Sequence, residues 1–281
     1  MEVLISQKVV HLVEVSFKLY FFFIFNNYML NDYSIAIPSY SRPNILFTKT
    51  LSLLSRQNID NDRIIIFLRD EDERTKYGER LDQYKVILTG CMDILETRNF
   101  LQIYYYENLE YTNVLFIDDD IQEIIEHKLP IMNLDNFIID AFKETKRRNL
   151  NIWGVSPFHN HFFMKDTISE NLKYICGAFY GEIFDRTKGM ILSDVGHGED
   201  FQKTMECFIR DNGVVRYNGV AIKTKYFGEG GINASYGGLH NRQIAMEENV
   251  KYLKERYGNM CRIKIKDYGY DIRLNSYYKN L

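Results

Sequence analysis

The stretch Val114-Leu115-Phe116-Ile117-Asp118-Asp119-Asp120 limits what this chain can become more than any other. Four apolar residues in a row predict a short strand buried on both faces. Such a strand tolerates no unpaired charge, so the three carboxylates belong just beyond its C-terminal end. In open parallel sheets that end borders the crevice in which ligands bind. Three adjacent carboxylates repel one another unless a cation or hydrogen-bond donors compensate them. A hard divalent ion, Mg2+ or Mn2+, is the simplest compensator, because it takes oxygen ligands and bridges carboxylates to substrate phosphates. The alternative is an acidic turn in which Asp119 or Asp120 caps a following helix. The place of the run, at the end of a hydrophobic strand amid alternating strands and helices, favours the metal.

The flanking sequence supplies that alternation. Ser34 to Pro38 predicts a first strand, and Pro43 suits the first turn of the helix after it. That helix is expected to reach about Gln57 with Leu46, Leu53 and Leu54 inward. Ile64 to Leu68 and Lys85 to Leu88 predict two more strands, and residues 92–106 a helix leading into Val114. Beyond the acids, Leu134 to Arg148 carries an apolar stripe of Leu134, Phe137, Ile138, Ala141 and Phe142 at helical spacing. Ile152 to Val155, Leu172 to Phe179, Val214 to Tyr217 and Val220 to Tyr226 predict further strands, and Gln243 to Arg256 a polar helix. The expected fold is α/β, Rossmann-like, with a mainly parallel central sheet and helices on both faces. It forms a single domain over residues 31–260, between an N-terminal extension (1–30) and a basic, aromatic tail (261–281).

A second acidic site follows. Gly196-His197-Gly198-Glu199-Asp200 opens a helix that runs to about Arg210. Asp200 is expected at the N-cap with Glu199 just outside, so that one acid caps and the other faces the pocket as a general base. The loop around His159 and His161 mixes histidine with phenylalanine, and packing is favoured there over metal ligation. The glycine-rich stretch 228–238, ending at His240 and Arg242, suits phosphate contact through backbone N–H groups. His240 is the best candidate for a third metal ligand.

Composition excludes several classes. A net charge of −3 gives no global signature of a nucleic-acid binder, although a local basic face stays open. Four scattered cysteines without a Cys-x-x-Cys pair fit reduced cytoplasmic thiols rather than a disulfide frame or zinc site. The apolar run Leu19 to Phe25 is too short for a bilayer, which needs about 20 residues, and no small-residue cleavage site follows. No membrane insertion is expected, and Met29 is an alternative start. No exposed heptad points to an oligomer.

The ordered set Ile37-Pro38-Ser39-Tyr40-Ser41-Arg42-Pro43, Glu96-Thr97-Arg98-Asn99-Phe100, Phe116 to Ile121, Trp153-Gly154-Val155 with Phe162-Phe163-Met164, and Gly198-Glu199-Asp200 resembles glycosyltransferases of the GT-A fold. More narrowly it is similar to the TET-associated glycosyltransferases of bacteriophages and viruses, which are thought to glycosylate hydroxymethylated bases in DNA, such as hydroxymethylcytosine. The resemblance implies a nucleotide-sugar donor, a UDP-sugar, with Mn2+ or Mg2+ on its diphosphate. Asp120 would ligate the metal, and Asp118 would share it or reach the ribose or sugar. Asp119, Pro38, Ser39, Arg42, Asp70, Arg98 and Asn99 would line the nucleotide site. Asp200, with Glu199, would face the acceptor hydroxyl, and His240 would be a C-terminal metal ligand. The expected partner is modified DNA in the host cytoplasm.

Two rivals remain beside it. One is a transferase of the same fold acting on a polysaccharide, lipid-linked or protein acceptor. The other is a non-catalytic nucleotide-binding module. A phosphotransferase is disfavoured by the lack of a Gly-x-x-x-x-Gly-Lys loop.

Overall fold

The structure is a computed structural model and describes residues 33–160, 162, 164–224, 239–266 and 269–279. These fall in one compact unit, Tyr33–Leu281. Expectations for residues 1–30, His161 and the glycine-rich stretch 228–238 lie outside the described residues.

A ten-stranded sheet organises the chain. Its strands are β1 (Ser34–Pro38), β2 (Ile64–Leu68), β3 (Lys85–Leu88), β4 (Asn113–Ile117), β5 (Glu123–Glu126), β6 (Leu129–Pro130), β7 (Ile152–Ser156), β8 (Ile168–Ser169), β9 (Phe179–Ile183) and β10 (Val215–Lys223). The order is β3-β2-β1-β4-β9-β7-β10-β5-β6, with β8 on β10. β1 to β4 are mutually parallel, and β7 and β10 run the same way. β9 lies antiparallel between β4 and β7. The parallel part was legible in the sequence, and the antiparallel insertion was not.

Both faces are covered, which is why β1, β2 and β4 read as unbroken apolar runs. Ile35, Ile37, Ile64, Ile66, Leu115 and Ile117 point to one side. There they meet α1 (Pro43–Thr48), α2 (Thr50–Arg56) and α5 (Leu134–Arg147) through Leu46, Leu53, Leu54, Ile138 and Phe142. Ala36, Ile65, Phe67, Val114 and Phe116 point to the other side. That face carries α4 (Ile94–Glu107), α6 (Glu199–Asp211) and α7 (Leu239–Tyr257), with Leu101, Tyr105, Met205, Phe208 and Leu253 inward. A short α3 (Glu71–Tyr77) follows β2.

Four local expectations are corrected. The strand expected at Leu172 to Phe179 begins only at Phe179, and 172–178 is irregular chain. In place of the two strands expected over Val214 to Tyr226, one strand, Val215–Lys223, has an irregularity between Tyr217 and Ala221. The first helix breaks at Lys49, which freezes Thr50 at the start of α2. No helix follows Asp120, where the chain enters β5, so the disfavoured alternative of a capping turn falls. The tail forms a hairpin, β11 (Cys261–Lys266) and β12 (Gly269–Leu274), whose Cys261 and Ile272 join the core.

Gly181 is dictated by packing. A Cβ there would lie 2.1 Å from the indole nitrogen of buried Trp153. Among the described residues no helix is long and apolar enough to cross a membrane.

Candidate active site

The candidate residues gather where the parallel strands end. The loops after β1, β2, β4 and β7 open at this edge, and β9 starts there, its Phe179 paired with Ile117. The three acids do not behave alike. Asp119 turns inward and is 5% exposed. It accepts hydrogen bonds from Ser39 Oγ at 2.6 Å and Arg42 Nη1 at 3.0 Å. Burial pushes its carboxyl up to about 6, against Arg42 and Ser39. Asp118 and Asp120 stay at the crevice, with side chains 34% and 15% exposed.

The acid run is pinned from below by a residue that sequence reasoning missed. Thr50 Oγ1 donates to the Asp118 carbonyl at 2.7 Å and accepts from the Ile121 amide at 2.9 Å. The loop after β1 is fixed similarly. Tyr77 hydroxyl meets Ser39 Oγ at 2.8 Å and accepts from the Arg42 amide at 3.2 Å. Buried Glu73 accepts from the amide of Ser41, which sits at φ 56°. A non-glycine residue in that region costs strain of order 1–3 kcal/mol and marks a loop held in shape by its surroundings. The Asp70-x-x-Glu73 spacing was a signal for this helix start. Asp70 Oδ1 accepts from the Glu73 amide at 2.8 Å, while its other oxygen meets Arg69. Asp70 therefore caps α3.

Arg98 is delivered by helix periodicity. Asp93 caps α4 by accepting from the Glu96 amide at 2.9 Å. Arg98, Leu101, Gln102 and Tyr105 then share the inward stripe. α4 returns from β3 to β4, so its first turns lie at the carboxyl edge. Arg98 Nη2 donates to Asp118 Oδ1 at 2.7 Å and to the Gly177 carbonyl at 3.2 Å. Its Nε lies 3.7 Å from Glu199 Oε1. Burial opposes its charge, but Asp118, Tyr180 and Glu199 overcome that and hold its pKa above the ordinary value. Asn99 lines the same cleft as Arg98 and pairs through both side-chain atoms with the backbone of Ser193. It anchors the loop before α6.

The second acidic site is also rearranged. Gly198, at φ 81°, is the N-cap of α6 and supplies no side-chain cap. Glu199 and Asp200 are the first two helical residues, which corrects the expected N-cap role of Asp200. Asp200 Oδ2 accepts from Tyr174 hydroxyl and from the Gly177 amide, the latter at 3.1 Å, and Oδ1 accepts from the Phe201 amide at 2.9 Å. Tyr174 stacks on Phe201 with ring centres 4.1 Å apart. Burial pushes Asp200 up, against those three hydrogen bonds. Burial and the adjacent Asp200 charge push Glu199 up as well, to about 8. Gly177 permits this closeness: a Cβ on it would stand 3.2 Å from Asp200 Cβ. A cleft of about 390 Å3, partly open to solvent, is bordered by Arg98, Gly177, Glu199, Asp200, Gln102 and Lys203.

The donor set fits a hard divalent ion only in part. Asp120 Oδ1 accepts from Thr224 at 2.7 Å, and Oδ2 is 3.5 Å from Arg42. Burial, with the Asp118 charge beside it, pushes the Asp120 carboxyl up, which is the condition a cation relieves. Among the described residues no three His, Cys, Asp or Glu side chains gather around one point. Two carboxylates with substrate oxygens and water suit Mg2+ or Mn2+, which keep open positions for phosphates. His240 is exposed at the start of α7.

No family model matches this sequence, and no curated protein does. Solved structures do resemble it. TarS 1–349 from S. aureus is 12% identical, covering 88% of this chain and 97% of that one, with a TM-score of 0.47. Glucosyl-3-phosphoglycerate synthase from Mycobacterium tuberculosis, in complex with Mn2+, UDP and glucosyl-3-phosphoglycerate, is 9% identical over 88% of both chains, with a TM-score of 0.49. A197 from STIV is 12% identical, over 68% of this chain and 84% of that one, with a TM-score of 0.41. None reaches 0.5, so the functional reading rests on this chain's own residues.

Proposed function

We propose that this chain is a metal-dependent glycosyltransferase that moves a sugar from a nucleotide-sugar, a UDP-sugar by preference, to a hydroxyl acceptor. The observation that carries this is the split of the acid run. Asp119 is locked inward by Ser39 and Arg42, while Asp118 and Asp120 remain at the crevice. Arg98 then joins Asp118 to a second, buried acid pair.

Asp118 and Asp120 would hold the divalent ion, which supplies charge neutralisation on a leaving diphosphate. Arg42, whose Nε is buried without a hydrogen bond, and Arg98 add fixed positive charge there. Asp200 is the base. It takes the acceptor hydroxyl proton as the acceptor oxygen bonds to the anomeric carbon and the bond from that carbon to the diphosphate breaks. Tyr174 and Gly177 hold Asp200 in place. The route inverts the anomeric centre.

The finer reading of the acceptor is a hydroxymethylated pyrimidine in DNA, flipped from the duplex for access. It stands on the sequence resemblance. The test covers both levels. Nucleoside-diphosphate release is measured over a panel of nucleotide-sugars with Mn2+, and products are weighed with hydroxymethylated duplex DNA, unmodified DNA, and polyol or saccharide acceptors. A metal-dependent hexose- or pentose-sized mass gain, absent in Asp120→Ala, is expected. Release without DNA labelling discards the DNA acceptor. No release with any donor discards the transferase and favours a binding module.

A further inference from the structure

Beside Asp200 lies a cluster of cations that the transfer chemistry does not use. Arg216, on β10, has a buried Nε without a hydrogen-bond partner. Among the described residues its Nη1 reaches only the Tyr174 carbonyl, at 3.4 Å. Lys173 reaches the neutral Asn218 Oδ1 at 3.5 Å. Lys165 is exposed nearby, its amide bonded to the Asn218 carbonyl at 3.3 Å. Asn218 itself is held by Thr167 and Ser169, so the loop carrying Lys165 is fixed against β10.

Several other shielded cations have carboxylate partners: Arg42 with Asp119, Arg98 with Asp118, Lys188 with Asp211, Lys203 with Glu182, and Arg186 is saturated by five backbone carbonyl contacts. Among the described residues, Arg216, Lys173 and Lys165 form no ion pair with a carboxylate. The nearby Asp166 lies 3.7 Å from His127 instead. Burial lowers the Arg216 pKa, and burial followed by the charges of Arg216 and Lys165 lowers that of Lys173. A grouping of like charges with no counter-ion is unfavourable unless an anion arrives to pair with it. Tyr174 links it to the chemistry, since its carbonyl meets Arg216 while its hydroxyl meets Asp200.

We propose that Arg216, Lys173 and Lys165 form a phosphate-binding subsite, and that the acceptor of this enzyme carries a phosphate group near its reacting hydroxyl. Three cations, one a planar guanidinium fork, match a phosphate better than a lone carboxylate. The phosphate belongs either to a monoester on a small acceptor or to a phosphodiester in a polymer. The subsite stands on its own geometry, and the word acceptor rests on the glycosyl-transfer reading.

The test has two parts. Inorganic phosphate is titrated into the full chain without divalent metal, so that Asp118 and Asp120 repel rather than attract it. Binding in the millimolar range is expected, weakened at least tenfold in Arg216→Gln and in Lys173→Gln. Lys173 is only half-buried, so its variant remains informative if Arg216→Gln does not fold. Unchanged binding in folded Lys173→Gln and Lys165→Gln together overturns the subsite. Next, kcat/KM is compared for a phosphorylated polyol, a phosphodiester-linked oligomer, duplex DNA and their phosphate-free counterparts. A preference of at least tenfold for one phosphorylated form, collapsing toward unity in Lys173→Gln, is expected and identifies the source. Equal use of phosphorylated and phosphate-free acceptors overturns the acceptor assignment. Phosphate binding that depends on Lys173, with no turnover of any donor, sinks the transferase reading and leaves the subsite standing.

Discussion

Arg98 touches Asp118 at 2.7 Å on one side and Glu199 at 3.7 Å on the other. One buried guanidinium thus connects the acids proposed for the metal to those proposed for the acceptor. Replacing it with Lys keeps the charge but loses the planar fork that spans both contacts. Arg98→Lys is expected to lower kcat/KM for sugar transfer by about 10²–10³, the range for losing one aligned donor. Steady-state nucleoside-diphosphate release checks this, and wild-type rates in Arg98→Lys would contradict it.

Asp119 and Asp120 should separate in a stability assay. Asp119→Ala leaves Arg42 and Ser39 without their buried partner, and breaking a buried pair costs about 3–5 kcal/mol. A fall in melting temperature of many degrees is expected. Asp120→Asn removes a charge that burial disfavours, so stability should hold or rise while Mn2+ affinity falls. Thermal denaturation of both variants tests the contrast.

Glu199 gives a pH signature. Its carboxyl rises from 4.5 to about 8 on folding, so between those values the unfolded chain releases a proton that the folded chain keeps. Its contribution to stability therefore falls as pH rises through that window. Asp200, Arg98 and Asp118 face it, and the two acids reinforce the shift while Arg98 opposes it. Glu199→Gln should be close to wild type near pH 5 and more stable by about 1–3 kcal/mol near pH 8. Chemical denaturation at the two pH values measures this; an equal offset at both would refute it.

Tyr174 donates to Asp200 and so favours its charged form. Tyr174→Phe should raise the Asp200 pKa and move the acid limb of the kcat/KM profile to higher pH. A variant that lost activity with an unmoved limb would have only a structural role at Tyr174.

Gly177 and Gly181 make a paired control. Gly181→Ala drives a Cβ into Trp153 at 2.1 Å, and overpacking a core typically costs about 1–3 kcal/mol or more. Gly177→Ala presses on Asp200 at 3.2 Å and should lower kcat with a smaller loss of stability. Comparing melting temperatures with turnover distinguishes the two.

The sequence made the sheet legible because β1, β2 and β4 are covered on both faces and read as solid apolar runs. It made the acid run legible because charge cannot sit inside such a strand. What it hid is the division of labour among adjacent acids. Asp119 and Asp120 look alike in the chain, and only the positions of Ser39, Arg42 and Thr224 turn one inward and leave the other at the crevice. The same holds for Asp70 and Asn99, whose polar atoms satisfy α3 and the Ser193 loop. Thr50, Tyr77 and Tyr174 escaped notice because their hydroxyls act across 38 residues for Tyr77 with Ser39 and 68 for Thr50 with Asp118, and no local pattern encodes such a pairing. Antiparallel β9 was misplaced because Leu172 to Phe179 is apolar enough for a strand, yet Leu172, Tyr174 and Ile175 pack toward α6 as irregular chain.

The most direct test of the central claim is Mn2+ binding followed by electron paramagnetic resonance, with and without a nucleoside diphosphate. Wild type should bind Mn2+ weakly alone and at least tenfold more tightly with the diphosphate present. Asp118→Asn and Asp120→Asn should abolish that gain, while Asp70→Asn keeps it. A gain that survives both crevice variants, or no gain in wild type, would contradict a metal-bridged donor at the end of β4.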